Sequence, residues 1–426
     1  MDHGIIVDIN ISNTSPDLLV EINMKAPTKW QLADLSLFLA TPEQTVESRK
    51  RSAQEWRRAL TEEQYILRDI LMDEHEHAAH GKGATWVLAP RANPSTLDFM
   101  CSCETFRRAG LVCRLSTSLH AEEVTAYGIA SVFTPLEKRR CGYAQHMMRL
   151  LHWVLAPRST LSADFPDAWG APPAAPDGFG NAQFSVLYSD VGPDFYRLCG
   201  PTQYPGNGWI ERGSTLTSWN VPPSEDTLSS KILSSTWKYL TEDDAIRVWE
   251  ADAAWMKIYL ANMRPSTSRT CFTFLPNQGV AKFLIHRTMS FNKDLTPVLP
   301  LQTWGILRLP HANAGLEDVL GDDERQGSTF ATWSLDPTSA SGTLIVTRLR
   351  ATTDTFPELF GRLTEFSREQ KIERIEIWAL PETLQGIASD LGGVTEQRQE
   401  HLSAFKWYGK EPEELEWIFD EKFCWC

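Results

Sequence analysis

The sequence lacks any apolar run long enough to cross a membrane, and its eight cysteines include no Cys-x-x-Cys pair. A membrane helix requires roughly 18 consecutive apolar residues, so we expect no membrane partner. Cysteines without zinc-type or disulfide-type spacing are typical of a reducing compartment. Residues 1–10 contain Asp2 and Asp8 but no basic segment, unlike a secretory or transit peptide. These absences predict a cytoplasmic protein.

An excess of positive charge is also lacking. The chain has 41 lysines and arginines against 55 aspartates and glutamates, a net charge of −14. An acidic surface repels a nucleic-acid backbone and favours cationic ligands, although ordinary solubility would give the same balance. We therefore expect no nucleic-acid partner and consider a cationic small molecule as ligand. At 426 residues the chain exceeds the usual size of one hydrophobic core, which favours two domains and allows three.

One histidine cluster raises the question of a metal site. His75, His77 and His80 lie at the end of a predicted helix, where only His77 and His80 share a face. A solvated helix terminus explains the cluster better than a set of metal ligands. We therefore expect no metal.

Hydrophobic periodicity divides the first half of the chain into a helical part and a sheet part. Spacings of three and four over residues 43–80 predict helix, after which a period of two predicts antiparallel strands. These predicted strands span residues 84–89, 97–107, 109–114 and 124–134. The pattern then predicts an amphipathic helix over 143–155, a long loop over 156–182, a strand at 183–188, a short helix at 193–198 and a strand at 209–218.

The second half repeats this order. A proline-containing polar stretch at 221–230 is the predicted linker between a first domain, 1–220, and a second domain, 231–426. Helices are predicted over 243–263 and 356–370, and strands over 280–286, 329–335, 343–350, 372–379 and 402–407. The fold class is therefore α+β, a mostly antiparallel central sheet flanked by helices, with a second domain that is a degenerate copy of the first. The aromatic residues 417–426 are expected to dock at the domain junction.

A basic turn with a glycine lies between the strand that ends at Thr134 and the helix that begins near residue 143. Gly142 has no Cβ and, with the small Ala144, lets an anion approach the first amides of the helix. Those unpaired amides and the positive end of the helix dipole bind pyrophosphate well. Local positive charge comes from Lys138, Arg139 and Arg140. The pattern predicts a pyrophosphate site, and the plain alternative is a solvated basic turn.

This turn resembles that of the GCN5-related N-acetyltransferases (GNAT). Arg139-x-x-Gly142-x-Ala144 matches their Arg/Gln-x-x-Gly-x-Gly/Ala pattern, and the resemblance implies a GNAT fold that binds acetyl-CoA. It implies that the pyrophosphate is held by the backbone amides of Arg140, Cys141, Gly142, Tyr143 and Ala144. It also implies that the pantetheine pairs with the strand edge at Val132, Phe133 and Thr134.

The next strand and short helix are also similar to that fold. In the family, a tyrosine four residues before a glycine often protonates the departing thiolate, and Tyr196 before Gly200 fills that place. Ser189, with Asp190, stands where the family usually has an asparagine that contacts the pantetheine. The alternative for Tyr196 is an ordinary core aromatic residue.

Acetyl transfer to an amine needs a proton acceptor, because an alkylamine with a pKa near ~10.4 is protonated at neutral pH. Glu104 ranks first, since a hairpin of the strands 97–107 and 124–134 places it opposite residue 132 or 133. Glu122 and Glu123, at the start of the second strand, are alternatives. A solvated surface position stays open for each glutamate. The oxyanion is expected to receive a backbone N–H near Val132.

The overall layout is similar to the fungal L-lysine N6-acetyltransferase family. The shared segments are Ser102-Cys103-Glu104-Thr105, Ser131-Val132-Phe133-Thr134 and Leu187-Tyr188-Ser189-Asp190-Val191-Gly192, with a second domain and an aromatic tail that ends in cysteine. The resemblance implies two acetyltransferase-like halves, of which only the first binds acetyl-CoA. It also implies that the acceptor is the side-chain amine of free L-lysine or a related small amine. Two alternatives are a protein or histone lysine acetyltransferase and a non-catalytic acyl-CoA-binding interaction protein.

Overall fold

The computed structural model describes residues 30–114, 120–161, 164–222, 236–263, 269–290, 301–321, 328–336, 342–409 and 414–426. Within these ranges the chain forms one sheet of nine strands and one of seven, with helices packed on both. The first sheet is built mainly from the first half of the chain and the second sheet mainly from the second half.

The first sheet begins with four antiparallel strands. These are β1 (Leu35–Leu39), β2 (Gly83–Pro90), β3 (Cys101–Cys113) and β4 (Glu122–Phe133). A fifth strand, β5 (Phe184–Ser189), lies parallel to β4. The helices of this half are α1 (Pro42–Trp56), α2 (Glu62–Asp73), α3 (Tyr143–Leu155) and α4 (Asp194–Arg197). The predicted antiparallel strands and the helix predicted over 143–155 are confirmed, except that the two strands predicted over 97–107 and 109–114 form the single strand β3. The apolar stripe of α3 is buried.

Two helices, not one, cover the region predicted as a single helix over 43–80. Thr61 forms a capping box with Gln64, and this box satisfies the first amides of a new helix. Just before it, Arg58 has a φ of 50°, which the interior of a right-handed helix does not accommodate. The prediction of a continuous helix is therefore wrong, because the cap at Thr61 interrupts the helical spacing.

The second sheet repeats the strand pattern of the first. Its antiparallel strands are β8 (Trp237–Leu240), β10 (Gly305–Arg308), β11 (Phe330–Asp336) and β12 (Thr343–Arg350). The strand β13 (Arg374–Trp378) then lies parallel to β12. The helices of this half are α5 (Glu242–Met263), α6 (Lys282–Met289), α7 (Leu316–Leu320), α8 (Phe356–Glu369) and α9 (Glu382–Asp390). Because α8 joins β12 to β13 as α3 joins β4 to β5, both halves have the same topology, as predicted.

Each half contributes at least one strand to the sheet of the other. The strand β15 (Leu402–Trp407) lies antiparallel to β5, beside the short β6 (Ile210–Glu211). The strand β7 (Thr215–Asn220) lies antiparallel to β13, beside β14 (Val394–Gln397). Neither sheet is therefore completed by its own half. The predicted boundary at 221–230 stays a prediction, since most of that segment lies outside the described residues.

Short segments account for the other differences from the predicted elements. The strand predicted over 209–218 is two strands, β6 and β7, which are separated by Gly213 at a φ of 64°. The strand predicted over 280–286 is the helix α6. The strands β9 (Thr270–Phe274) and β16 (Leu415–Trp417) were not predicted, and neither were β1, β8, β10 and β14. The strand β9 pairs with β3 and with β16. A short apolar run carries no periodicity that separates helix from strand.

The C-terminal tail docks between the two halves, as predicted. Phe423 and Cys424 are fully buried. The buried Arg108 of β3 donates hydrogen bonds to the carbonyl oxygens of Cys424 and Trp425 at 2.6 and 3.4 Å. In the other half, the amide of Leu349 on β12 donates to a carboxylate oxygen of Glu421 at 2.7 Å. The tail thus joins a strand of each sheet. None of the helices in the described ranges is long and apolar enough to span a membrane.

Candidate active site

The strands β4 and β5 separate before they end. Their parallel pairing runs only from Ala126 to Ile129 on β4, although β4 continues to Phe133. On the other edge of β4, a β-bulge sets Ser131 and Val132 opposite a single residue of β3, and Ser131 adopts a φ of 53°. A bulge bends its strand and leaves backbone groups unpaired. The result is an open wedge between two neighbouring strands at the middle of the first sheet.

The turn before α3 presents a run of unpaired amides beside this wedge. The first amide that bonds within the helix is that of His146, which donates to the carbonyl of Gly142 at 3.0 Å. In the described part of the chain, the amides of residues 140–145 donate to no acceptor. Gly142 begins the helix at a φ of 82°, and a Cβ there would point into open space. Consecutive free amides at a helix N-terminus form an anion-binding concavity.

The three basic residues of this turn differ in how far their charge is already paired. Lys138 contacts the carboxylate of Asp98, and Arg139 contacts that of Glu55 at 2.8 Å. Arg140 is exposed and has no ion pair within the described ranges. The backbone amides, rather than three free cations, therefore make up most of the predicted anion site.

A cavity of about 300 Å³ opens from the wedge and reaches the second half of the molecule. Its walls come from α1, α2, β3, β4 and α4 in the first half, and from α6 and the C-terminal tail in the second. The predicted site residues that line it are Glu104, Val132 and Tyr196. The structure thus brings together three residues that lie far apart in the sequence.

Glu104 points into the cavity and holds two polar partners. One carboxylate oxygen accepts a hydrogen bond from the hydroxyl of Ser131 at 2.6 Å, and the other lies 3.8 Å from the guanidinium of Arg49. Arg49 is buried and also pairs with Asp73 at 2.7 Å. Burial raises the pKa of Glu104, while Arg49 opposes that effect. A carboxylate with a raised pKa is suited to accepting a proton from an amine.

The predicted position of Glu104 in the hairpin was wrong. We expected it opposite residue 132 or 133, but it pairs with Ala130. The bulge at Ser131 and Val132 adds one residue to β4 and shifts the register there. This shift sets Glu104 within hydrogen-bonding distance of Ser131.

Tyr196 lies on α4 at the opposite side of the wedge from Glu104. Its side chain is 9% exposed, and its ring contacts Phe195 edge-on with 4.9 Å between ring centroids. Burial raises the pKa of its hydroxyl, so the phenol stays protonated at neutral pH. A buried, protonated phenol that faces the cavity can donate a proton there.

Other predicted site residues lie away from the cavity. Glu123 is exposed and pairs with Lys257 at 3.0 Å, and Glu122 contacts Arg114. Ser189 is buried at the end of β5, and its hydroxyl donates to the carbonyl of Gly192 at 2.7 Å. That bond closes the turn after β5, so the hydroxyl does not face the wedge.

The remaining residues of the predicted cofactor turn lie at or before the N-terminus of α3, and they differ in how deeply they are buried. Phe133 is buried and packs edge-on against Trp56 with 6.0 Å between ring centroids. Tyr143 is buried, and its hydroxyl accepts a hydrogen bond from the amide of Trp30 at 3.1 Å. Thr134, Cys141 and Ala144 are half-buried. Their side chains serve packing, which leaves the backbone as the part available to a ligand.

Sequence reasoning missed the charged side chains that complete the cavity. These are Arg49, Arg58, Arg68, Asp69, Asp73, Arg287, Asp336, His401 and Lys422. One signal was present: Arg49 falls within the apolar stripe of the first helix, between Val46 and Ala53. An arginine at an inward position indicates a buried polar partner.

Comparison with known families finds a match in the second half of the chain. Residues 218–426, just under half of the chain, match the family described as the LYC1 GNAT-like C-terminal domain. A search among curated proteins finds no match.

Two solved structures with similar chains are GCN5-related N-acetyltransferases. The one from Kribbella flavida is 13% identical, with 87% of this chain and 70% of that chain covered and a TM-score of 0.47. The one from Anabaena variabilis ATCC 29413 is 10% identical, with 88% and 73% covered and a TM-score of 0.48.

The family match and the two sheets of like topology agree with the predicted α+β fold of two GNAT-like domains.

Proposed function

We propose that the first half of the protein binds acetyl-CoA and transfers its acetyl group to the side-chain amine of free L-lysine or a related small amine. The observation that carries this proposal is the run of free amides at residues 140–145, which opens beside the wedge between β4 and β5. The second half has the same topology, and its sequence has no comparable glycine turn.

The residues of the turn fit a pyrophosphate. Consecutive amides and the positive end of the α3 dipole supply hydrogen bonds and charge, and Gly142 leaves the approach open. Next to them, β4 has an edge without a strand partner at Val132 and Phe133 on the β5 side. An extended pantetheine amide chain can bond to such an edge as a further strand does.

Three groups at the cavity serve the transfer of the acetyl group. Glu104 accepts the proton of the acceptor amine, directly or through water, so that the nitrogen can attack the thioester carbon. The backbone N–H at Val132 donates to the oxyanion that forms on the carbonyl. Tyr196 donates its proton to the sulfur as the C–S bond breaks.

The size of the cavity supports a small acceptor. Both halves and the C-terminal tail contribute to the wall of a space of about 300 Å³, whereas a protein substrate requires an open groove. The carboxylates of Glu104 and Asp73 share the single cation of Arg49, which leaves negative charge for an ammonium group. The similarity to fungal L-lysine N6-acetyltransferases supports lysine. A cytoplasmic location and the absence of a nucleic-acid partner stay predictions from the sequence.

The test is a thiol-release assay with acetyl-CoA and a panel of acceptors. We expect release with free L-lysine or a related amine, and little or none with histone peptides. Calorimetry with acetyl-CoA is run in parallel. Binding without release for every acceptor would indicate a non-catalytic acyl-CoA-binding protein, release with peptides alone would indicate a protein acetyltransferase, and no heat would contradict the whole proposal.

A further inference from the structure

The cavity has a second end, which differs in charge from the end at Glu104. This second end is bounded by α2, α6 and the tail. Arg287 of α6 lies there, with its guanidinium 5.0 Å from the ring centroid of Trp425. Its side-chain nitrogens contact no acceptor in the part of the chain that the structure describes. Burial, followed by the nearby Arg68, lowers the pKa of Arg287 to about 10, so the group is still charged at neutral pH.

A second arginine at this end also has an unsatisfied donor. The side chain of Arg68 is 5% exposed and pairs with Asp69 at 2.7 Å. That pair uses two of its nitrogens, and the third, Nη1, is buried without an acceptor among the described residues. A buried guanidinium nitrogen without a partner is costly. Arg68 therefore lies in the wall behind the cavity, where its charge is felt by Arg287.

The charged side chains at this end of the cavity have a net positive charge. Arg68 is balanced by Asp69, and Arg58 pairs with Asp336 at 3.3 Å. Arg287 is the guanidinium that remains. Lys422 lies nearby between two indole rings, and burial lowers its pKa well below the ordinary value, which favours the uncharged amine over a further positive charge. The opposite end has a net negative charge, because two carboxylates share Arg49.

We propose that Arg287, which lines the cavity, binds the carboxylate of an amino-acid acceptor whose side-chain amine reaches Glu104. This inference rests on the proposed acetyl transfer and adds the group by which the acceptor is selected. The single positive charge of Arg287 neutralises the single negative charge of a carboxylate. Its planar guanidinium can donate two parallel hydrogen bonds to the two carboxylate oxygens. A diamine without the carboxylate leaves the guanidinium of Arg287 without an acceptor in the cavity, which is why a site of this kind rejects it.

The experiment compares three acceptors that differ only at the proposed group: L-lysine, L-lysinamide and 1,5-diaminopentane. For the unaltered protein we expect kcat/KM with L-lysine to exceed that with the other two by about 10- to 100-fold, the value of a charged hydrogen bond in a buried site. In Arg287→Gln this ratio falls to near one. Arg287→Glu reverses it in favour of the diamine. Arg247→Gln, which removes an exposed arginine of α5, is the matched control and keeps the ratio.

Acetyl-CoA binding and the unfolding midpoint are measured for each variant, because a merely structural role would lower both. If Arg287→Gln reduces kcat/KM equally for all three acceptors, or if the unaltered protein uses lysine and lysinamide equally well, the inference is overturned while acetyl transfer itself stands. If no acceptor releases thiol in any variant, the proposed function fails instead.

Discussion

At the wall of the cavity, Tyr196 retains its proton more firmly than a tyrosine in water. The side chain is 9% exposed, and burial raises the pKa of its hydroxyl. A thiol has an ordinary pKa near ~8.5, so transfer of a phenol proton to a departing thiolate is uphill and requires direct contact between the two groups. Tyr196 lines the cavity in which the proposed transfer takes place.

Replacement of Tyr196 by phenylalanine tests this assignment. We expect turnover to fall by about 10²-fold, because a general acid is lost, and acetyl-CoA affinity to be retained, because the ring still fills its place. A thiol-release assay measures turnover, and calorimetry measures the affinity for acetyl-CoA. Tyr204→Phe, at a tyrosine that is 70% exposed, serves as the control. Unchanged turnover in Tyr196→Phe would leave Tyr196 as a core aromatic residue.

The residues that could be assigned from the sequence are those tied to a local motif. Tyr196 was found by its spacing from Gly200, and Glu104 by its place in a predicted hairpin. Arg68 and Arg287 carry no such signal. They meet only because α2 of the first half packs near α6 of the second, and that contact depends on the arrangement of the two sheets.

Among the elements, the turn and helix at residues 140–155 were predictable, and the bulge before them was not. A strand end, a glycine and an amphipathic stripe are local features that agree with one another. A bulge inserts one residue without altering the apolar pattern of its strand. The same limit explains α6, whose short apolar run predicted a strand.

Substitutions at Gly142 test whether the turn before α3 binds the pyrophosphate. We expect Gly142→Glu to abolish acetyl-CoA binding in calorimetry, because a carboxylate would stand among amides that bind an anion. Gly142→Ala is the control for backbone strain, since φ is 82° there and a left-handed residue with a Cβ costs about 1 kcal/mol. The alanine variant should bind acetyl-CoA and unfold at a slightly lower temperature. Normal binding by Gly142→Glu would place the pyrophosphate elsewhere.

On the scale of the whole molecule, the cavity is formed by both halves of the chain. The strands that each half contributes to the sheet of the other, here called the exchanged strands, and the docked tail connect the two halves. The strand β15 completes the sheet that carries the wedge, while residues of α6 and the tail close the acceptor end. The repeated order of elements predicted two similar halves, but strand exchange has no sequence signature of its own, because each exchanged strand has the same alternating pattern in either sheet. Separate expression of the halves would therefore leave both sheets incomplete.

The tail is held in place by a buried ion cluster in the second half. Arg348 is fully buried between Asp252, at 2.7 Å, and Glu421 of the tail. Glu421 also accepts the bond from Leu349. Removal of one partner from such a cluster leaves buried charge without compensation and costs about 3 kcal/mol or more.

We therefore expect Glu421→Ala to lower the unfolding midpoint in urea and to raise the KM for the acceptor, because the tail wall loosens, while acetyl-CoA affinity is retained. Glu416→Ala is the matched control: Glu416 also lies near the tail, but its pair with Arg269, at 3.5 Å, is partly exposed and is worth about 0.5 kcal/mol. Equal midpoints and equal KM values for the two variants would show that the cluster does not hold the tail. A parallel loss of acetyl-CoA binding in Glu421→Ala would instead show that the tail supports the wedge itself.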